Sequence, residues 1–338
     1  MNYACHTAEL LAEQELPGYR DCSTRHDSFL VRDRSCWLVS RSGDETVVCR
    51  VAADASRLFA EQRHWPCPRS GEEHGFASPL PDGGLALIVN GLVTVYDIAG
   101  RVRWTYRFQP WPDAHNATPA CTPDASGRRL LVTTTGRPGR DGLYRGDLCV
   151  ALDLADGRHV TDTVLPSATA GYIFQQSRTD PGQVFLDALM GDTFHSLEVT
   201  LRDDALHTAN IGLENDPFAG LSLDGAVIKT DVGGEWISRW EAGAEDVVAE
   251  VGETLPEGLR FVGHRPGFLD RDRVLAAVAE EEDTEDNRHL ILDGHTLRPT
   301  GELAYPGTTC CDPLALGDGT WLTTEGDLVR RWRPTGTR

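Results

Sequence analysis

One phrase recurs along this chain of 338 residues. Each copy opens on a short apolar run and continues through alternating runs separated by Gly, Asp and Pro. Phe29, Phe76, Ala117, Ile173, Phe218, Phe268 and Leu314 mark seven openings, at intervals of 47, 41, 56, 45, 50 and 46 residues. Inside one copy, residues 85–89 and 92–97 flank Asn90-Gly91. A two-residue Asn-Gly step between apolar runs is a strong hairpin signal. Helical periodicity sustained over ten or more residues is missing outside the termini.

A period of about 40 to 50 residues holding four short strands is the size of a propeller blade. The predicted fold is therefore all-β, a seven-bladed β-propeller in a single domain over residues 1–338. The blades fall near 27–66, 74–112, 115–166, 171–213, 216–256, 264–306 and 311–334, the last together with 8–17. A large β-sandwich, the competing reading, does not require the regular interval. The last copy contains only three strands, around 313–316, 321–324 and 328–332. Residues 9–17 (ELLAEQELP) match the fourth strand of the first blade, 57–66 (RLFAEQRHWP), in two apolar residues followed by Ala-Glu-Gln. The N-terminal segment is thus expected to complete the last blade and remove an open sheet edge. A helix over 8–15 suits its propensities, but the internal match favours a strand.

Charge narrows the function classes. Lys plus Arg is 32 and Asp plus Glu is 52, a net of 32 − 52 = −20. A protein that works by neutralising nucleic-acid phosphates is disfavoured, as is a polybasic membrane anchor. The one lysine, Lys229, follows Val227-Ile228 rather than a Gly-rich turn, so a P-loop is excluded. Arginine in place of lysine points to a GC-rich bacterial genome. The nine cysteines show no CxxC and no zinc spacing; Cys36, Cys49 and Cys149 lie in apolar runs and read as buried hydrophobes. Residues 1–6 lack a basic stretch leading into an apolar run, and the longest uncharged apolar stretch, 83–96, is too short to span a bilayer. A cytoplasmic location with free thiols is expected.

Val95-Tyr96-Asp97 after the Pro81-Asp82-Gly83-Gly84 turn resembles a degenerate WD-repeat or quinoprotein-like propeller. So do Gly263-His264 and Gly317-Asp318-Gly319, with Tyr96-Asp97 and Leu152-Asp153 standing where a Trp-Asp pair would be. The resemblance covers nearly the whole chain and implies a fold rather than an activity. It also implies that the loops leading into each blade share a top face with the loops between its second and third strands.

On that face two insertions stand out. Residues 136–146 are Gly-rich and carry Arg137, Arg140, Tyr144 and Arg145, a set able to bind an anion or an acidic partner segment. Residues 280–286 are acidic and read as a solvated loop. His26, His74, His115 and His264 precede opening strands, with Cys310 and Cys311 at the matching place in blade seven. Imidazoles converging from separate blades can bind a transition metal. Equally, each can support its own blade, as Gly-His pairs do in WD-repeats. Seven of the eight tryptophans, Trp65, Trp104, Trp111, Trp236, Trp240, Trp321 and Trp332, are core candidates before they are partner anchors. No HExxH, GxSxG or GxGxxG motif occurs. The expectation is an interaction or accessory module that meets a protein partner or small-molecule ligand on the top face, without nucleic acid, membrane or cofactor. The alternative is a metal-dependent oxygenase or lyase holding a divalent transition metal on those histidines.

Overall fold

The computed structural model describes residues 4–19, 29–32, 34–42, 44–66, 76–112, 118–136, 143–166, 171–177, 180, 182–190, 193–211, 218–222, 224–231, 233–255, 258–280, 287–307 and 312–337. Among these, every regular element is a strand, and no helix is long and apolar enough to cross a membrane. The first strand, β1, is Ala4–Glu15. A four-stranded sheet follows, of β2 (Phe29–Arg32), β3 (Ser35–Ser42), β4 (Glu45–Val51) and β5 (Phe59–Pro66). The next holds β6 (Phe76–Pro79), β7 (Leu85–Val89), β8 (Leu92–Tyr96) and β9 (Val102–Arg107). The third holds β10 (Cys121–Pro123), β11 (Arg129–Thr134), β12 (Leu148–Asp153) and β13 (His159–Val164). Then come β14 (Gly171–Gln176), β15 (Val184–Met190), β16 (Thr193–Arg202) and β17 (Ala205–Asn210). The fifth sheet is β18 (Phe218–Leu221), β19 (Val227–Thr230), β20 (Trp236–Trp240) and β21 (Val247–Glu250).

The remaining strands are β22 (Arg260–Phe268), β23 (Arg273–Ala279), β24 (Arg288–Asp293), β25 (Pro299–Ala304), β26 (Leu314–Ala315), β27 (Trp321–Glu325) and β28 (Leu328–Thr337). They form one eight-stranded sheet with β1, ordered β22-β23-β24-β25-β1-β28-β27-β26. This is two blades joined at their outer strands, so the described strands make seven sets of four. Phe29, Phe76, Ile173, Phe218, Phe268 and Leu314 all fall in opening strands as expected. Ala117 lies outside the described residues, and the third blade opens at Cys121.

The chain forms two compact units: Met1–Ser23 with Arg50–Glu61 and Asp216–Arg338, and Thr24–Cys49 with Gln62–Asn215. In the first, β1 completes the last blade. It runs antiparallel to β28 from His6 opposite Thr337 to Glu15 opposite Leu328. Glu9 faces Arg333 at 2.8 Å and Glu13 faces Arg330 at 3.3 Å. Exposed pairs of this kind fix register more than they add stability. Leu11 is the extra residue of a bulge between Leu10 and Ala12, a device common at sheet edges. The repeat does not foretell the other partner of β1, a parallel pairing with β25 from Ala4 opposite Gly301 to Thr7 opposite Ala304. Gly301 leaves room for His6, because a Cβ there would lie 2.6 Å from the imidazole.

Arg331, wholly buried, ties β28 to the turn after β4. It donates to Ala52 O at 2.6 Å, Arg57 O at 3.3 Å, Thr320 Oγ1 at 3.0 Å and Asp318 Oδ2 at 2.6 Å. A guanidinium presents five N–H donors in a fixed fork, and here each of its three nitrogens meets a protein acceptor.

In the second unit the cores run between sheets. Ile88, Val93 and Val95 of one blade cluster with Leu130, Val132 and Val150 of the next. Both faces of a blade's central strands are covered, so these strands read as continuous apolar runs. Trp65, Trp104 and Trp111 are buried here, as are Trp321 and Trp332 in the first unit, while Trp236 and Trp240 are half-buried. Cys49, Cys121 and Cys149 are buried free thiols whose ionisation burial pushes up to about 12.

Aspartates staple the turns. In the β8–β9, β12–β13 and β24–β25 turns, the amides of Asp97, Asp153 and Asp293 each donate at 2.8 Å to the carbonyl of Arg101, Arg158 and Arg298. The same carboxylates accept amides inside the turn: Ala99 and Arg101 at 2.9 Å, Ala155 at 3.0 Å, and Thr296 at 2.8 Å. Left-handed backbone falls on Gly100 and Gly157, but on buried Leu297 in the third turn, at φ 54°. Leu297 accepts strain that glycine avoids and supplies apolar packing instead. First-to-second-strand turns repeat the device at Asp82, Asp124, Asp180, Asp270 and Asp318.

Two expectations follow. Arg331→Met should cost about 3 kcal/mol in urea unfolding, because buried carbonyls and a carboxylate lose their donor. Arg330→Met, on the same strand with exposed partners, should cost less than about 1 kcal/mol; equal losses would contradict the assignment. Backbone amides, led by Thr296, hold Asp293 below the ordinary carboxylate value of 3.8. A lowered folded-state pKa stabilises above the unfolded value and is lost as pH falls through the folded one. Asp293→Asn keeps an acceptor but has no charge to lose. Its stability should therefore decline less steeply with acid than that of the unaltered protein, measured as urea midpoints below pH 3.8.

Candidate functional site

The segment after β9 and the insertion between β11 and β12 meet at one buried carboxylate, Asp147. Trp111 Nε1 donates to its Oδ1 at 2.9 Å, Tyr172 OH donates to its Oδ2 at 2.5 Å, and Tyr144 OH also donates to Oδ1. Three neutral donors replace the water that a buried carboxylate loses. Trp111 is fixed in turn by Asn90, whose side chain accepts from Trp111 N at 2.8 Å and donates to Trp111 O at 3.1 Å. The Asn-Gly step therefore does more than turn the β7–β8 hairpin. Only Gly91 takes a left-handed φ there, 87°. Phe108 and Tyr172 flank the indole at ring-centroid distances of 5.7 and 6.4 Å.

Tyr144 closes the base of the insertion. Its hydroxyl accepts Gly136 N at 3.0 Å while donating to Asp147. Gly136 lies so near Gly146 O that a Cβ on Gly136 would sit 1.9 Å from that oxygen. Burial first, then the hydrogen bond to Asp147, pushes the Tyr144 phenol well above its usual range. The phenol therefore stays protonated and keeps donating to Asp147. The ring remains 40% exposed beside Leu143 at 65%.

Of the anion-binding set, Tyr144 and Arg145 lie at this base, while Arg137 and Arg140 fall outside the described residues. His26, His74, His115, Cys310 and Cys311 also fall outside them. His264 differs from its expected place: it lies within β22, where the register shifts between Val262 and Gly267, and not ahead of an opening strand. A backbone irregularity takes up the residues that sequence spacing reads as a connecting loop. Its side chain is outside the described set. Among the described residues, no three His, Cys, Asp or Glu side chains are grouped to hold a metal.

Two other polar clusters are internal supports. In the second unit Arg32, buried, donates to Ser78 Oγ at 2.9 Å, Val31 O at 2.8 Å and Phe174 O at 3.2 Å, linking three opening strands. Burial lowers its pKa to about 10, so it stays charged at neutral pH. In the first unit Tyr305 OH accepts from Trp321 Nε1 at 2.8 Å and lies 2.6 Å from His289 Nδ1. Burial pushes the Tyr305 phenol far up, and its ring packs edge-on against Trp332.

Asp147 is the residue that sequence reasoning missed. Its signal was slight: one acid between a Gly-rich insertion and the apolar run that begins at Leu148.

No protein-family model matches the sequence, and no curated protein matches it. Solved structures match its fold. A streptogramin B lyase structure aligns at TM-score 0.58 and 11% identity, covering 97% of this chain and 98% of that one. A catalytically inactive His-to-Ala variant of virginiamycin B lyase from Staphylococcus aureus, solved with quinupristin, aligns at 0.55 and 13%, covering 96% and 99%. The WD40 domain of Pan2 from Neurospora crassa aligns at 0.54 and 8%, covering 100% and 98%. Identities this low carry fold alone. The chain has the β-propeller fold that its repeat implies, and its described strands group into seven sets of four.

Proposed function

We propose that the chain is an interaction module that recognises a protein partner through the 136–146 insertion of its third blade. One observation carries this reading: the insertion's base is locked by Tyr144, Asp147 and Trp111, and an apolar and an aromatic side chain emerge beside Arg145. Anchored aromatic and arginine side chains are the residue types that dominate interface energetics. Anchoring lowers the ordering cost of binding. The three arginines of the insertion favour an acidic segment on the partner, against the negative charge of the chain as a whole. The buried free thiols support a reducing compartment such as the cytoplasm. That solved lyases share the fold supports a metal-dependent enzyme only weakly, because propellers host many unrelated activities.

The test is affinity capture from the native host with the unaltered protein and two variants. Arg145→Glu should weaken capture of a stoichiometric partner by about tenfold, through charge reversal at the contact. Tyr144→Phe keeps the ring but unties Gly136 from Asp147, and should weaken it also. Capture unchanged by both variants would overturn the assignment. Metal found at stoichiometric level by elemental analysis, with turnover of a small molecule and no partner, would reverse the ranking of the two classes.

A further inference from the structure

The turns at the other end of these strands enclose a cleft of about 390 Å³ in the second unit. Its walls are the β6–β7 turn with Pro81 and Asp82, the β10–β11 turn with Ser126 to Arg129, and the β12–β13 turn with Asp153 to Ala155. Arg103 reaches in from β9. Three arginines, Arg103, Arg128 and Arg129, gather at this cleft in a chain of net charge −20.

The three cations are not equivalent. Arg103 pairs with Asp82 and donates to Leu154 O at 3.5 Å. Arg129 is held by Asp153 at 2.6 Å and Asp204 at 3.2 Å. Arg128 is exposed, and its side chain makes a single contact, Nε to Ser126 Oγ at 3.4 Å. Its two terminal nitrogens meet no protein acceptor among the described residues; the carboxylate of its turn, Asp124, is engaged by Ser126 Oγ at 2.6 Å and by backbone amides. The turn that carries it is rigid: Asp124 Oδ1 accepts Arg128 N at 3.0 Å and Arg129 N at 2.9 Å. The floor is firm and apolar. Leu154 O accepts Trp104 Nε1 at 2.9 Å, and Pro81, Leu154 and Ala155 line the wall.

We propose that this cleft is a binding site for a small organic anion, a phosphate or carboxylate head on a short apolar body. Arg128 supplies a guanidinium fork with both terminal nitrogens available, and Arg103 a second cation already held in place. Pro81, Leu154 and Ala155 receive the apolar body. The site is separate from the 136–146 insertion and uses none of its residues.

Isothermal titration calorimetry with phenyl phosphate, benzoate and inorganic phosphate tests this. Phenyl phosphate or benzoate should bind saturably, with one site per chain, and whichever binds tighter names the head group. Inorganic phosphate should bind more weakly, since it leaves the apolar wall empty. Arg128→Gln, a change at an exposed side chain, should weaken binding by about tenfold or more. Asp82→Asn frees Arg103 from its counter-ion and should tighten binding severalfold, a sign that mere loss of fold would not produce. Absence of saturable binding, or an Arg128→Gln variant that binds as well as the unaltered protein, would overturn the proposal. So would an Asp82→Asn variant that binds no tighter.

Discussion

A blade made of three strands leaves the amides and carbonyls of its outer strand without partners, and nothing in its own copy of the repeat can satisfy them. That is the condition of β26, β27 and β28, and β1 resolves it. The cost is topological, since the pairing strand comes from the other end of the sequence and its closure entropy must be met before the contact stabilises anything. Several independent contacts then hold the junction. Glu9 and Glu13 set the register against Arg333 and Arg330. Leu16 N reaches Asp327 O at 2.8 Å and Gly18 N reaches Asp327 Oδ2 at 3.2 Å, carrying the pairing past the end of the strand. Arg331 fastens β28 from its other side. The parallel register of β1 with β25 covers a second outer edge with the same strand.

The acidic composition has a local meaning besides its long-range one. Aspartates at the turns accept amide hydrogens that a tight hairpin cannot pair internally. Asp97, Asp153 and Asp293 each accept the amide two residues on, in three different blades. Part of the charge that argues against nucleic-acid binding is thus built into the repeat. The turns also decide where sites can lie. Stapled turns are rigid, and three of them with Arg103 make the arginine cleft. The 136–146 insertion is held instead by a buried carboxylate beneath its base.

Much of the fold was legible because repetition is a global property. The interval between Phe29, Phe76 and their counterparts, and the match of residues 9–17 to 57–66, needed no tertiary information. The Asn90-Gly91 hairpin was likewise local. Other features were not readable, each for a physical reason. Arg330 and Arg331 are adjacent in sequence and alike in type, yet only Arg331 is buried, because burial depends on what lies opposite each face of β28. The grip of Asn90 on Trp111 and the convergence of Trp111, Tyr144 and Tyr172 on Asp147 join residues far apart in sequence, with no fixed spacing to reveal them. His264 looked like a loop residue because a register shift inside a strand leaves no mark in composition.

Peptide-resolved hydrogen exchange on the whole chain tests most directly whether β1 belongs to the last blade. Amides of β1 between Thr7 and Glu15 should be as protected as those of β27 and β28, and should exchange with them in one cooperative unit. Exchange of β1 orders of magnitude faster, while β27 and β28 stay protected, would contradict the account.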